Sequence, residues 1–232
     1  MIKLIKNEFK NFNFKKYIIG VIIANIVLLG FLSIITYPMK YLGLYFILDY
    51  KNIFTFIDSL VRAIFMMFSS VLISNIIIKK LKNNKKALIS SGRMDREKVI
   101  VPKIIFIVLL TFLTMILSNV FLEVSFYFID KSNNLVPNKL NVYMIEINTI
   151  NIFIYAITST LMNLISMYLG IVRESTFVTI LTSIVLVCVV CSYNNGFSLN
   201  SIIIIPLLLA TLGVISAYLS IKHIENLKIA KQ

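Results

Sequence analysis

The sequence is poor in the residues that enzymes use for chemistry. It has one histidine, His223, two cysteines, no tryptophan, and only 10 acidic residues against 23 lysines and arginines. None of its seven glycines begins the GxxxxGK[ST] pattern of P-loop proteins, and neither HExxH nor a nucleophile-elbow pattern occurs. We therefore expect that the chain is not an enzyme, has no catalytic residues and does not itself hydrolyse ATP.

The two cysteines, Cys188 and Cys191, are too few to indicate a metal or redox centre. Their CxxC spacing occurs in redox pairs and in halves of metal sites, but no second cysteine or histidine cluster accompanies it here. We interpret both as small buried apolar side chains on one face of a helix. No metal and no cofactor is expected to bind to this chain.

Apolar residues are abundant. They make up 59% of the chain, and the mean hydropathy is +0.91. This is more apolar surface than a soluble domain can bury, so the sequence indicates an integral membrane protein. The net charge of +13 then fits cytoplasmic loops and anionic lipid headgroups. The expected partner of this charge is the lipid bilayer and not nucleic acid.

Six apolar stretches are long enough to cross a bilayer as helices, which takes about 20 residues each. They lie at about residues 17–37, 53–78, 104–128, 150–172, 176–193 and 201–221. The fold class predicted is an all-α membrane protein, with residues 1–232 forming a single transmembrane domain.

The amino-terminal segment, residues 1–16, places apolar side chains at helical spacing and lysines off that stripe. This pattern predicts an amphipathic helix in the inner membrane interface, although a plain basic flank that fixes topology is the alternative. With this end inside, the inner segments hold 18 lysines and arginines and the outer segments hold four. The positive-inside rule therefore predicts that both termini are cytoplasmic.

Three ionisable residues fall inside predicted spans: Asp58, Arg62 and Glu123. Charged groups are costly in hydrocarbon, so each needs an explanation. Asp58 and Arg62 are four residues apart and share one face of a helix. One interpretation is a polar patch that lines a translocation path or locks helices together. The other is that Asp58 and Arg62 neutralise each other while Glu123 reaches the outer interface.

The segment 79–103, between the second and third spans, is the most distinctive part of the sequence. Nine of its 25 residues are Lys or Arg. Residues 82–89 can form a short helix, and Ser90-Ser91-Gly92 would break it. Asp95 is then suited to cap a helix that begins at Arg96 and continues into the third span. We expect an ordered helix–turn–helix loop on the cytoplasmic side.

The end of this loop resembles a stretch that precedes the third span in membrane subunits of ABC transporters of the ABC-2 exporter type. That stretch reads Leu-x-x-x-Pro-x-Ser-Arg-x-x-Ile-Val-x-x-Lys. Asp95 replaces its Ser and keeps a capping residue, whereas Arg93 replaces its Pro and departs from the pattern. The positions that match the rest are Arg96, Val99, Ile100 and Lys103. The six-span layout with a long first cytoplasmic loop is also similar to that family.

The resemblance implies a function that the residues alone do not. The loop would carry the coupling helix, and a separate ATP-binding cassette subunit would bind it and supply ATP and Mg. The translocation path would form between this chain and a second permease copy or a related permease, in a bacterial plasma membrane. The cargo would be amphipathic or antimicrobial peptides or hydrophobic antibiotics. The residues expected at the ATPase contact are Lys85, Lys86, Leu88, Ile89, Arg93, Asp95 and Arg96.

Two other functions fit the composition. One is the ligand-binding membrane subunit of an energy-coupling-factor importer, which usually couples through small residues in its first span. The other is a membrane anchor or immunity protein that transports nothing. Co-purification with an ATPase, and its stimulation by peptide, would separate these from an exporter.

Overall fold

The computed structural model describes residues 12, 14–41, 49–79, 96–138, 140–191, 193–194, 197–198 and 204–229. Over these residues the chain is predominantly α-helical, which confirms the predicted helical class. The helices are α1 (Phe14–Tyr41), α2 (Tyr50–Ile73, continued by a π-helical segment, Ser74–Ile78), α3 (Arg96–Asn133), α4 (Val142–Met162), α5 (Leu164–Val172), α6 (Thr176–Val190) and α7 (Ile204–Ile229). A two-residue antiparallel pair, β1 (Tyr193–Asn194) with β2 (Phe197–Ser198), follows α6.

Five helical segments of the described chain are long and apolar enough to cross a membrane. They are Phe14–Pro38, Tyr50–Ile78, Ile100–Asn133, Val142–Val172 and Ile204–Ile224. These coincide with the first, second, third, fourth and sixth predicted spans, so the protein is a multi-pass transmembrane protein. The remaining predicted span, 176–193, contains α6, an apolar helix of 15 residues.

The region between the third and fourth predicted spans, residues 129–149, is polar in sequence, which leaves its fold open, and the structure shows that most of it is helical. α3 continues to Asn133, and α4 already begins at Val142, which leaves a short connection between them. Asn134 in this connection has a positive φ of 46°, a left-handed conformation that asparagine tolerates better than most residues. The polar side chains at the start of α4 are compatible with a helix because Asn148 finds a partner on α3.

The chain divides into two compact units. One comprises residues 1–12, 65–112 and 157–232, and the other comprises residues 13–64 and 113–156. We refer to them as unit 1 and unit 2. α2, α3 and α4 each contribute residues to both units.

In unit 1, α5 packs against α6 and α7, and the π-helical segment packs against α5 and α6. Two glycines permit close packing of helices in this unit, Gly170 at α6 and Gly213 at the end of α4. A Cβ built on Gly170 would overlap the hydroxyl oxygen of Thr179, and one built on Gly213 would overlap the carbonyl oxygen of Leu161. Small residues at such positions let membrane helices approach closely.

Some expectations from the sequence concern residues outside the described ranges. The amphipathic helix at residues 1–16 lies outside them apart from Phe12 and the first turn of α1, and residues 80–95 of the basic loop also lie outside.

The prediction for the cysteines is wrong for Cys188, which is exposed, while Cys191 is half-buried. Val185 and Val189 are also exposed, so Cys188 lies on an outward apolar face of α6.

Candidate functional site

An ion pair lies within the second membrane-spanning helix, in unit 2. Nη2 of Arg62 donates to Oδ2 of Asp58 at 2.6 Å, one helical turn away on α2. Their side chains are 3% and 7% exposed, respectively. The two charges therefore pair inside a single helix, which is one of the two interpretations that the sequence left open.

Two neighbouring helices contact this pair through uncharged groups. Asn119 of α3 donates from Nδ2 to Oδ1 of Asp58 at 3.4 Å, and the Tyr155 ring of α4 lies 4.6 Å from Cζ of Arg62. Three helices of unit 2 thus converge on one buried polar group. We call Asp58, Arg62, Asn119 and Tyr155 the Asp58 cluster.

The Asp58 cluster has hydrogen-bonding capacity that its own members do not use. Within the described part of the chain, neither Nε of Arg62 nor Oδ1 of Asn119 has a hydrogen-bond partner, although both atoms are buried. One of these atoms is a donor and the other is an acceptor. Buried polar atoms without partners are rare in native proteins, and this cluster holds two of the four such side-chain atoms among the described residues.

Glu123 does not hydrogen-bond to the other two ionisable residues of the spans. It lies on α3, one turn after Asn119, and its Oε1 accepts a hydrogen bond of 2.7 Å from Nδ2 of Asn148 on α4. The carboxylate is half-buried. This contact adds a second polar link between α3 and α4.

α3 is the common hydrogen-bonding partner of the other long helices of unit 2. It meets α1 through Thr114, which is 3.0 Å from the hydroxyl of Tyr17, and through Ser118, whose Oγ accepts from Asn25 at 3.0 Å. Near its carboxyl end, Asp130 accepts hydrogen bonds from the Tyr50 hydroxyl of α2 and from a backbone N–H beyond α3. With the links already given, α3 bonds by side chain to α1, α2 and α4.

Sequence reasoning did not identify this role of α3. Ser118 and Asn119 belong to the small and polar residues within the spans, which are expected to pack helices by close approach and side-chain hydrogen bonds, but the sequence does not single out α3 or Thr114. The available signal was spacing, because Thr114 and Ser118 are four residues apart, as are Asn119 and Glu123. Such pairs lie one above the other on a helix and can each serve a different neighbour.

A second polar junction lies in unit 1. Asn163, between α4 and α5, donates from Nδ2 to the carbonyl oxygen of Met66 at 3.0 Å. Ser183 of α6 donates to the same oxygen at 3.1 Å. The Met66 carbonyl thus joins α2 to two other elements. Small and polar residues within spans, Asn163 among them, are expected to join membrane helices by side-chain hydrogen bonds of this kind.

The predicted coupling residues are almost all outside the described ranges. Arg96 is the exception, because the main chain is helical from this residue onward. This agrees with the predicted helix that continues into the third span. The residues that lie outside are Lys85, Lys86, Leu88, Ile89, Arg93 and Asp95.

Metal-ligating groups do not converge in the described part of the chain. No three His, Cys, Asp or Glu side chains there are arranged to hold a metal ion. The polar centre that the structure does contain is the Asp58 cluster, which consists of one ion pair, one amide and one aromatic ring.

Comparison with known proteins yields one informative similarity. The chain is 29% identical over 223 residues to the uncharacterized protein YcbO of Bacillus subtilis (strain 168), which covers 96% of this chain and 98% of that protein. No protein-family model matches the chain, and no solved structure matches it. The similarity extends over nearly the whole of both proteins.

Proposed function

We propose that this chain is the transmembrane permease subunit of an ABC exporter. In this proposal the chain has six spans and two cytoplasmic termini, and it lies in a bacterial plasma membrane. A separate ATP-binding cassette subunit binds the basic loop and hydrolyses ATP. The cargo is an amphipathic or antimicrobial peptide or a hydrophobic antibiotic, a class that rests on the small size and the Lys-, Asn- and Ile-rich composition that the chain shares with exporter permeases of that kind.

The observation that supports this proposal most directly is the extent of α3. The helix is continuous from Arg96, within the segment that resembles the exporter motif, to Asn133. A continuous helix of 38 residues is about 57 Å long at 1.5 Å per residue. This one helix therefore joins the basic loop to the residues of unit 2 that form hydrogen bonds with neighbouring helices.

The contacts of α3 provide a way for motion of the loop to reach other spans. When an ATPase displaces the loop, the displacement enters α3 at its first turn. The links from Ser118 to Asn25, from Asn119 to Asp58 and from Glu123 to Asn148 then act on α1, α2 and α4. Transport in this scheme is a rearrangement of helices around α3 and needs no catalytic group in this chain.

The test is a coupling experiment on the loop. The chain is affinity-purified from its native host, and the co-purifying ATPase is measured with and without an amphipathic peptide. Replacement of Leu88 and Ile89 by Asp is expected to leave membrane insertion intact but to release or uncouple the ATPase. The matched control replaces Lys131 and Ser132, at the exposed far end of α3, by Asp.

The outcomes separate the candidate functions. If no ATPase co-purifies, the exporter proposal is wrong and a membrane anchor or immunity protein becomes the better interpretation. If an ATPase co-purifies but the Leu88 and Ile89 variant retains full peptide-stimulated activity, the chain is a transporter subunit whose coupling residues lie elsewhere. Uptake of a vitamin, instead of peptide export, would favour an energy-coupling-factor importer.

A further inference from the structure

Two residues of unit 2 that bond to the same carboxylate each keep one unused hydrogen-bonding atom. Arg62 is bonded to Oδ2 of Asp58 through Nη2, which leaves its Nε–H as a donor. Asn119 is bonded to Oδ1 of Asp58 through its Nδ2, which leaves its carbonyl oxygen as an acceptor. The orientation of the Asn119 amide is fixed by chemistry, because a carboxylate must face the NH₂ group.

Charge restricts what can occupy this position. Asp58 and Arg62 compensate each other at 2.6 Å, so the cluster as a whole is neutral. A neutral pair has no net charge to offset the cost of moving an anion or a cation from water into surroundings of low dielectric constant, so a charged guest is disfavoured. An apolar group would leave the donor and the acceptor without partners. The matching guest is a neutral group that has both an acceptor and a donor.

We propose that the Asp58 cluster is a binding site for a neutral hydrogen-bonding group, which accepts from Nε of Arg62 and donates to Oδ1 of Asn119. Two sources carry this chemistry. A water molecule offers both functions in one atom, and a peptide group offers them through its C=O and N–H. The site itself is independent of the proposed function, and only the peptide source rests on it.

A guest in the Asp58 cluster would strengthen the contact between α2 and α3. Asn119 belongs to α3 and Arg62 to α2, so a guest bonded to both joins these two helices. At this point their direct link is a hydrogen bond of 3.4 Å between Asn119 and Asp58, in addition to the bond from Tyr50 to Asp130 near the carboxyl end of α3. That distance is longer than the usual N–H···O range of about 2.7–3.2 Å. A guest therefore adds two hydrogen bonds where the direct contact is weak.

The test determines the structure of the full chain in lipid nanodiscs, without additive and with N-acetyl-leucine N-methylamide, a neutral probe that contains peptide groups. Density within hydrogen-bond distance of both Arg62 Nε and Asn119 Oδ1 in both samples supports the site with water as its occupant. Density that changes to the shape of the probe supports the site with a peptide group. If neither sample has density there, the proposal is wrong.

Variants test the two atoms separately. Binding of the probe is measured by calorimetry for the wild type, Arg62→Lys and Asn119→Leu, with Thr55→Val on the exposed face of α2 as the matched control. Lysine keeps a cation beside Asp58 but lacks the Nε–H, and leucine lacks the amide oxygen. Each is expected to weaken probe binding at least about tenfold. If the site holds only water, calorimetry is expected to show no binding of the probe to the wild type. The density of the ordered water is then expected to be absent from the structures of both variants.

Failure of this inference is distinguishable from failure of the proposed function. Absence of density and of probe binding overturns the site, even if an ATPase co-purifies. Conversely, a bound water with no co-purifying ATPase supports the site and overturns the exporter.

Discussion

Arg62 and Asp58 form their ion pair within a single helix, at 2.6 Å and one turn apart. α2 can therefore enter the membrane with its two charges already paired, before it meets any other helix. An unpaired charge at the centre of a span costs about 2.5–3.5 kcal/mol on insertion scales. The contacts from α2 to Asn119 and Tyr155 are made by uncharged groups, so a change in helix packing would not separate opposite charges.

This arrangement predicts strong coupling between the two residues. Replacing Asp58 by Leu leaves a buried guanidinium without its carboxylate and is expected to lower the free energy of unfolding by about 3 kcal/mol. Replacing both Asp58 by Leu and Arg62 by Met removes the whole pair, and its stability is expected within about 1 kcal/mol of wild type. The measurement is reversible unfolding in bicelles, analysed as a double-mutant cycle.

Equal stability of the single and double variants would contradict this prediction, since it would mean that Arg62 does not depend on Asp58. The matched control is Thr55→Val, also on α2, where the threonine hydroxyl bonds only to its own helix in an exposed position. The control is expected to stay within about 0.5 kcal/mol of wild type.

The pairing of Asp58 with Arg62 was one of two interpretations open to the sequence, because it is local: a spacing of four residues places both on one face of a helix. The link between Asn25 and Ser118 could not be predicted, since it joins residues 93 positions apart and depends on how α1 packs on α3. Long apolar runs identified five of the spans. They placed the start of the fourth span at about residue 150, whereas α4 begins at Val142. The residues before 150 are polar, and the partner of Asn148 among them, Glu123, lies on another helix.

The shared carbonyl of Met66 in unit 1 predicts non-additive effects. Asn163→Leu and Ser183→Ala each remove one donor to this oxygen, while the other donor remains. Each single variant is expected to cost about 1 kcal/mol, close to the average for hydrogen bonds between membrane helices. The double variant is expected to cost more than the sum, because it leaves α2 without either link at this point.

Unfolding in bicelles again provides the measurement. Ser216→Ala is the matched control, because its hydroxyl bonds only to the backbone of its own helix in an exposed position. Strict additivity of Asn163→Leu and Ser183→Ala would show that the two donors act independently, contrary to the prediction.

Three glycines in the helices differ in the space around them, so their alanine variants are expected to lose stability to different degrees. Gly213→Ala is expected to cost about 1–3 kcal/mol, because its Cβ meets a backbone carbonyl that cannot rotate away. Gly170→Ala is expected to cost less, since the overlapping atoms belong to the side chains of Thr179 and Ile78. Combining it with Thr179→Ala should recover part of that loss.

Gly30→Ala is the control for this series, because no atom of the described residues lies within 4 Å of a Cβ built there. It is expected to be neutral or to gain up to about 1 kcal/mol from helix propensity. Thermal unfolding of the three single variants should therefore rank them Gly30, Gly170 and Gly213 in order of increasing loss. A destabilised Gly30 variant would mean that α1 has a close partner at this position, such as a second subunit.

The number of membrane crossings is testable because α6 is short. Its 15 residues extend about 22 Å, less than the roughly 30 Å of hydrocarbon, so it crosses only with the help of residues that flank it. With six crossings, Arg173 and Lys222 face the cytoplasm and Lys131 faces outward.

Single cysteines at these three positions, in a background with Cys188→Ala and Cys191→Ala, are treated with a membrane-impermeant maleimide on intact cells. The cysteine at position 131 is expected to react directly, and those at 173 and 222 only after permeabilisation. Labelling of position 222 on intact cells, with position 173 protected, would instead indicate five crossings and an external carboxyl terminus.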